Sequence, residues 1–413
     1  MRILILSNSP SQGYGYSVVF SKVAKELHDK GHEVYYLGMQ TVSAPKRHPD
    51  GYMVLGIRFD AFCNDVLEDY LRVYNIECLI TGLDLWMDCT KYIGEVVKKM
   101  GVTWICHVTI NSTPMSPFLK QNIGNARWFI SPSDFVNKSL LDAKALNVVK
   151  IPHGFDSSVF KPNLEIKNEM KKKLGVEGKF VYITVMRNKG MQKNYPALFA
   201  AYKILLMNDP EASKNTILLC IADPLEGDAM RLDVYREFAG LQDHVKFLYA
   251  KPSEDKSRLE ATYEGDPKGM PHNANISFDP EEMAKIYNAA DVFVSSSSGE
   301  SFQLPAIEAQ ACGVPVIMPD NTTASELTFS GQTGLIANAP FEMFTPLVSS
   351  IRNVDSLSLA ECMQSLFKNN ELREKFRNNA LMYSQLYDWK KILPIWTELI
   401  KHIEETDEGT LGI

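Results

Sequence analysis

A chain of 413 residues is too long for one ordinary domain, and two α/β domains of about 150–200 residues are the expectation. Apolar content of 45% and charged content of 23% describe a globular protein, and a net charge of −7 argues against a nucleic-acid partner held mainly by charge. The seven cysteines (63, 78, 89, 106, 220, 312 and 362) are dispersed without a C-x-x-C pair, which speaks for reduced thiols and against a zinc site.

The N-terminal Met1-Arg-Ile-Leu-Ile-Leu-Ser7 reads as a strand running into a glycine loop, not as a signal peptide. No apolar run approaches the roughly 18 residues that span a bilayer, so a cytoplasmic protein is expected, with peripheral membrane contact left open. Further strands are predicted at Val34–Leu37, Met53–Ile57, Cys78–Thr81, Thr103–His107, Trp128–Ser131 and Val148–Ile151, with helices including Val18–Lys30 and Tyr92–Lys99 between them. Alternation of this kind builds a parallel sheet covered on both faces. A break follows at Phe160–Glu165, and the basic run Lys167–Lys173 reads as a solvated helix face. The pattern restarts at Phe180–Val185 and continues through Thr216–Ile221, Val245–Leu248, Val292–Ser295, Val316–Met318 and Gly334–Ile336. Residues 251–277 look like an irregular surface insertion, and from Phe341 onward the chain reads as helical. The last helix, Trp389–Glu404, places Ile392, Leu393, Trp396, Leu399, Ile400 and Ile403 on one face.

The most informative stretch is Ser298-Gly-Glu-Ser-Phe-Gln-Leu-Pro-Ala-Ile-Glu-Ala-Gln-Ala-Cys-Gly-Val-Pro-Val-Ile317. Pro305 suits a first helical position, and Gly313 is placed like the left-handed residue after a helix. Glu300 then falls in the loop at a strand's C-terminal end, and Glu308 in the first turn of the following helix. Ligands bind at that edge of open α/β sheets, where helix amides favour phosphate and carboxylates accept from sugar hydroxyls.

In the second half Arg187 and Lys193 follow the first strand beside a helix start, where a guanidinium fork and an ammonium suit a diphosphate; Lys189 is a spare cation. In the first half Gln12-Gly-Tyr-Gly-Tyr-Ser17 separates strand from helix, with Gly15 able to bring backbone close to a ligand. A dinucleotide fingerprint is disfavoured there, because Val18 replaces the third glycine and Leu37–Thr41 lacks the ribose-binding acid. His107 ends a strand on the same ligand-facing edge. Asp84 and Trp86 end the preceding one, with packing the expected role for the indole.

Together these segments resemble the family-four retaining glycosyltransferases of GT-B fold, over Met1 to about Trp389. The resemblance rests on Glu300-x7-Glu308 with its Ala-x-Ala-Cys-Gly-Val-Pro-Val-Ile continuation, on Arg187 and Lys193, and on Ile151-Pro-His-Gly-Phe-Asp-Ser-Ser-Val-Phe-Lys-Pro162. Weaker echoes are Gly31–Val34, Ile286–Asp291, the loop acid Glu326 and Gly334. It implies two facing, doubly wound Rossmann-like domains: an acceptor-side domain at 1–162, to which the tail 389–413 returns as a crossing helix, and a nucleotide-sugar domain at 163–388. It implies transfer of a sugar from a nucleotide-diphosphate-sugar to a hydroxyl acceptor with retention, without metal or other cofactor. Glu308 would hold the ribose, Arg187 and Lys193 the diphosphate, and Glu300 the hydroxyls of the transferred sugar. The segment Ser301-Phe302-Gln303-Leu304 would add donor contacts, with Gly15 near the phosphates and His107 near the sugar.

The family usually has Gly-Phe-Gly where this chain has Ser301-Phe302-Gln303, and either side chain would be strained if its backbone needs positive φ. A sugar-nucleotide epimerase and a non-catalytic sugar-nucleotide sensor are the alternative functions. Acceptor choice falls to the loops Asn111–Phe118 and Met39–Tyr52, whose sequences carry no pattern that names it.

Overall fold

The computed structural model describes residues 1–408 apart from 14, 88, 228, 274 and 275. The chain forms two compact units. Unit one holds Met1–Gly154, Leu347–Ser349 and the segment from Trp389, and unit two holds Phe155–Pro346 and Ser350–Asp388.

Unit one is built on β1 (Arg2–Asn8), β2 (Glu33–Val42), β3 (Lys46–Arg47), β4 (Met53–Ile57), β5 (Cys78–Gly82), β6 (Thr103–His107), β7 (Trp128–Ser131) and β8 (Val148–Lys150). Their order is β3-β4-β2-β1-β5-β6-β7-β8, parallel throughout except for β3. Strands such as Ile3–Leu6 and Leu79–Ile80 are fully buried because helices cover both faces. Strand order reverses between β1 and β5, so the loops after those two strands splay apart and leave room for a ligand. The helix Gly15–Asp29 takes Gly15 as its first residue. The final helix, Trp389–Glu408, packs in the same unit, with Trp396 edge-on to Phe20 at 6.2 Å and Glu404 3.1 Å from the Met1 amino group.

Unit two repeats the plan with β9 (Phe180–Val185), β10 (Thr216–Ile221), β11 (Val245–Pro252), β12 (Leu259–Tyr263), β13 (Met270–Pro271), β14 (Val292–Val294), β15 (Val316–Pro319) and β16 (Gly334–Ala337). The order β12-β11-β10-β9-β14-β15-β16 reverses between β9 and β14. Consequently the loops carrying Lys193 and Glu300 leave adjacent strands at a second switch point.

Three expectations need correction. Residues 251–277 are not merely irregular: β12 and β13 pair antiparallel with a lengthened β11, and buried Ala261 gives β12 an inner face. The chain beyond Phe341 is not helical at once, because β17 (Phe341–Phe344) and β18 (Ser350–Asn353) form an antiparallel pair first. The run Lys167–Lys173 is not simply solvated. Lys167 and Lys171 each lie 2.7 Å from Asp291, and Lys173 lies 3.1 Å from Glu260. Burial alone would raise the Asp291 pKa, but the two ammonium groups outweigh it and the net shift is downward. The lysines therefore fasten their helix to unit two.

Candidate functional site

In unit two, the chain leaves β9 through Arg187 and makes one short helix, Gly190–Lys193. Asn194 ends it in the left-handed conformation (φ 46°), which asparagine tolerates better than most residues. The helix Tyr195–Asn208 starts there, with Pro196 in its first turn.

Three of the four consecutive buried serines beyond β14 (residues 295–298) hold this turn. The Ser296, Ser297 and Ser298 hydroxyls donate to the carbonyls of Lys193 (2.9 Å), Gln192 (3.1 Å) and Met191 (3.0 Å), while the Ser298 N–H donates to Gln192 O (2.8 Å). Carbonyls that the short helix leaves unpaired are thus satisfied by the neighbouring loop, and the two loops are fixed to each other. Sequence reasoning passed over the serines, although four small hydroxyls ending an apolar strand are the signal.

This scaffold brings Lys193 and Glu300 into an ion pair, with only 15% and 12% of the side chains exposed. The Glu300 N–H donates to Thr322 Oγ1 at 3.0 Å. Arg187 stands apart from that pair: it is half exposed and forms an ion pair with Glu226. Lys189 is exposed.

The helix after Glu300 runs Leu304–Ala311, with Pro305 in its first turn and Gly313 at φ 77° just past its end. Glu308 is its fifth residue rather than the expected fourth, because the helix starts one residue earlier, at Leu304, with Pro305 in its second position. Glu308 accepts a hydrogen bond from Tyr287 Oη at 3.0 Å. It keeps some contact with solvent, yet burial pushes its pKa up to about 7, only partly opposed by Tyr287. This carboxyl is therefore only partly ionised near neutral pH, and a hydrogen-bond donor beyond Tyr287 would favour its charged form. Glu326 lies in the helix Ala324–Leu327 rather than in a loop.

Neither Ser301 nor Gln303 has positive φ, so the exchange from Gly-Phe-Gly brings no backbone strain. The Gln303 amide is buried and donates to Ser295 Oγ at 2.9 Å. Phe302 is buried with its ring 5.5 Å from Tyr387, and Leu304 packs against the same core. Gln303 and Phe302 therefore shape the loop from beneath.

In unit one, Ser7, Gly82 and His107 stand in register across β1, β5 and β6. Gly82 is required there because a Cβ would overlap the Phe20 ring, which packs edge-on to His107 at 5.3 Å. His107 and His153 are both buried, with their Nε2 atoms 3.0 Å apart. Burial pulls His107 down to about 3 and His153 well below its ordinary value, so two neutral rings share one N–H···N bond. His153 had been quoted only as part of a segment. Beside them Tyr16 Oη donates to Asp84 Oδ1 at 2.7 Å. Trp86 is 48% exposed, so the expected packing role is not what the structure shows.

The structure thus joins Lys193 to Glu300, sets Glu308 on the helix that follows, and leaves Arg187 with another acid. Gly15 and His107 belong to the other unit.

Residues 271–353 match the family model described as glycosyl transferases group 1. A D-inositol 3-phosphate glycosyltransferase of Corynebacterium jeikeium is 23% identical over 276 residues, which is 66% of this chain and 56% of that protein. The chain spans about half the length of the first relatives of this name. Among solved structures, sucrose-phosphate synthase from Thermosynechococcus elongatus superposes with a TM-score of 0.74 at 16% identity, covering 98% of this chain and 100% of its own. Anabaena HepE in complex with UDP-glucose gives 0.73 at 17% identity, covering 97% and 100%. At these identities the structural likeness establishes the fold, GT-B.

Proposed function

We propose that this chain, a family-four-like glycosyltransferase of GT-B fold, moves a sugar from a nucleoside-diphosphate-sugar to a hydroxyl acceptor, with retention of configuration and without a metal ion. The observation that carries the reading is the pairing of Lys193 with Glu300 at the β9/β14 switch point, followed along the same chain by a carboxylate, Glu308, that burial makes reluctant to ionise.

In this reading Glu308 accepts from the ribose hydroxyls, which supply the donors its charge lacks. Arg187 and Lys193 face the diphosphate. Without donor both cations are held by carboxylates, Glu226 and Glu300. An arriving diphosphate competes for them, and Glu300 is released toward the hydroxyls of the transferred sugar. As the glycosidic bond breaks, negative charge grows on the leaving diphosphate, where the two cations stabilise it more than in the ground state. The amides entering the helix Leu304–Ala311 add a dipole of the right sign. By the resemblance, Gly15 is assigned to the donor phosphates, His107 to the transferred sugar, and the loops of unit one to the acceptor.

UDP-glucose, bound in the Anabaena neighbour, is the first donor to try. Thermal-shift screening against UDP-, GDP- and ADP-sugars tests the reading, since a ligand at 100 times its Kd stabilises by about 2.7 kcal/mol. One nucleotide series should raise the melting temperature, and Lys193→Ala should reduce that rise. No shift with any series would count against the proposal.

A further inference from the structure

The first sheet has its own switch point, between β1 and β5, and three polar side chains meet there. Asp84 lies two residues past β5, Tyr16 is the second residue of the helix after β1, and Thr109 lies two residues past β6. Tyr16 Oη and Thr109 Oγ1 both reach the same oxygen of Asp84, Oδ1, at 2.7 and 3.4 Å, and they also touch each other. Oδ2 has no hydrogen-bond partner among the described residues, although Asp84 is only half-buried. Burial and the Asp84 charge hold the Tyr16 pKa well above its ordinary value, so the phenol stays protonated and keeps Oδ1 occupied. The carboxylate is therefore oriented by its neighbours with one oxygen left to accept. Two residues on, the Trp86 indole is 48% exposed.

Apart from the amino end of the first helix, whose amides favour phosphate, the described side chains here do not suit an anion. No lysine or arginine is paired with Asp84 among the described residues, and the cation following β4, Arg58, is 3.2 Å from Asp69. An oriented carboxylate accepts well from sugar hydroxyls, and an exposed indole offers a flat apolar face to a pyranose ring. A phosphate dianion about 5 Å from Asp84 would be disfavoured about tenfold even through water.

We infer that Asp84, oriented by Tyr16 and Thr109, and Trp86 form an acceptor subsite that takes an uncharged, hydroxyl-rich sugar and discriminates against phosphorylated acceptors. The inference rests on the reading that unit one receives the acceptor. Saturation-transfer NMR on the full chain tests it, with methyl α-glucoside, α-mannoside and α-galactoside as probes against their 6-phosphates. At least one neutral glycoside should bind about tenfold or more tightly than its phosphate. Asp84→Ala and Trp86→Ala should each abolish its signal, and Asp84→Asn should narrow the gap. Equal or tighter binding of the phosphates, neutral binding unchanged in both alanine variants, or a silent panel would each overturn the subsite. The nucleotide-sugar thermal shift, measured on the same samples, keeps the two ideas apart. A retained shift with a failed sugar panel sinks the subsite alone, whereas its absence in the unaltered protein removes the underlying reading. A retained shift also shows that the variants are folded.

Discussion

Glu308→Gln should make the protein more stable at pH 8 while weakening its hold on a nucleotide sugar. The folded-state pKa of Glu308 is about 7 against an ordinary value of 4.5, with burial the leading cause. Between those two values the folded chain binds the extra proton, so stability falls as pH rises from about 4.5 to about 7 and stays lowered above that. A gap of roughly 2.5 units at about 1.36 kcal/mol each gives about 3 kcal/mol, which partial solvent contact reduces to about 1–3 kcal/mol. The amide oxygen of glutamine can still accept from Tyr287, so the variant removes the charge without orphaning the phenol. Urea denaturation should place variant and parent within about 1 kcal/mol at pH 5, with the variant ahead by about 1–3 kcal/mol at pH 8. Calorimetry at pH 8 should show donor affinity reduced by about 1.5–3 kcal/mol, the worth of hydrogen bonds to a charged acceptor. A variant less stable than the parent at pH 8, or a difference that does not change with pH, would refute the electrostatic argument. Unchanged affinity would refute the ribose assignment.

Arg187→Ala should lower kcat by about 10²–10³ with a smaller effect on donor affinity, because its contact strengthens as the diphosphate leaves; a rise in KM alone, with kcat intact, would make it only a binding group. Lys193→Ala should act in the same direction and non-additively, which a double-mutant cycle measures. Transfer should survive excess EDTA, and a loss restored by Mn²⁺ would contradict the two-cation mechanism. Ser298→Ala removes bonds to Met191 O and to Asn353 Oδ1 (2.6 Å), and should cost about 1–3 kcal/mol in chemical denaturation. The buried neutral pair His107–His153 has depressed pKa values, so unit one should lose stability as pH falls below about 6.5, by about 1.4 kcal/mol per pH unit for each ring. Replacing both by glutamine should flatten that acid limb in circular-dichroism melts.

The parallel strands were legible because burial on both faces writes a continuous apolar run, as in Phe180–Val185 and Thr216–Ile221. The position of Glu300 beyond β14 was legible for the same reason. Glu308 came out one residue too early in its helix because Pro305 is acceptable at either of the first two helical positions. What spacing cannot reveal is partnership across the fold. The serine clamp on residues 191–193, the Tyr287 bond to Glu308, and the meeting of Tyr16 with Asp84 join residues from 21 to 107 positions apart. The Lys167–Lys173 run misled because its acids, Asp291 and Glu260, are likewise distant in sequence. The β17–β18 pair was missed because its strands are four residues long, and Phe341, Glu342 and Phe344 of β17 are exposed, leaving no apolar alternation to read.

The most direct test of the central claim is proton NMR of the purified chain turning over an α-linked nucleotide sugar, beginning with UDP-glucose, in the presence of EDTA and a neutral glycoside acceptor. The account predicts release of nucleoside diphosphate and a new glycosidic anomeric signal with the α configuration of the donor. A β-configured product, or an absolute requirement for added metal, would contradict it.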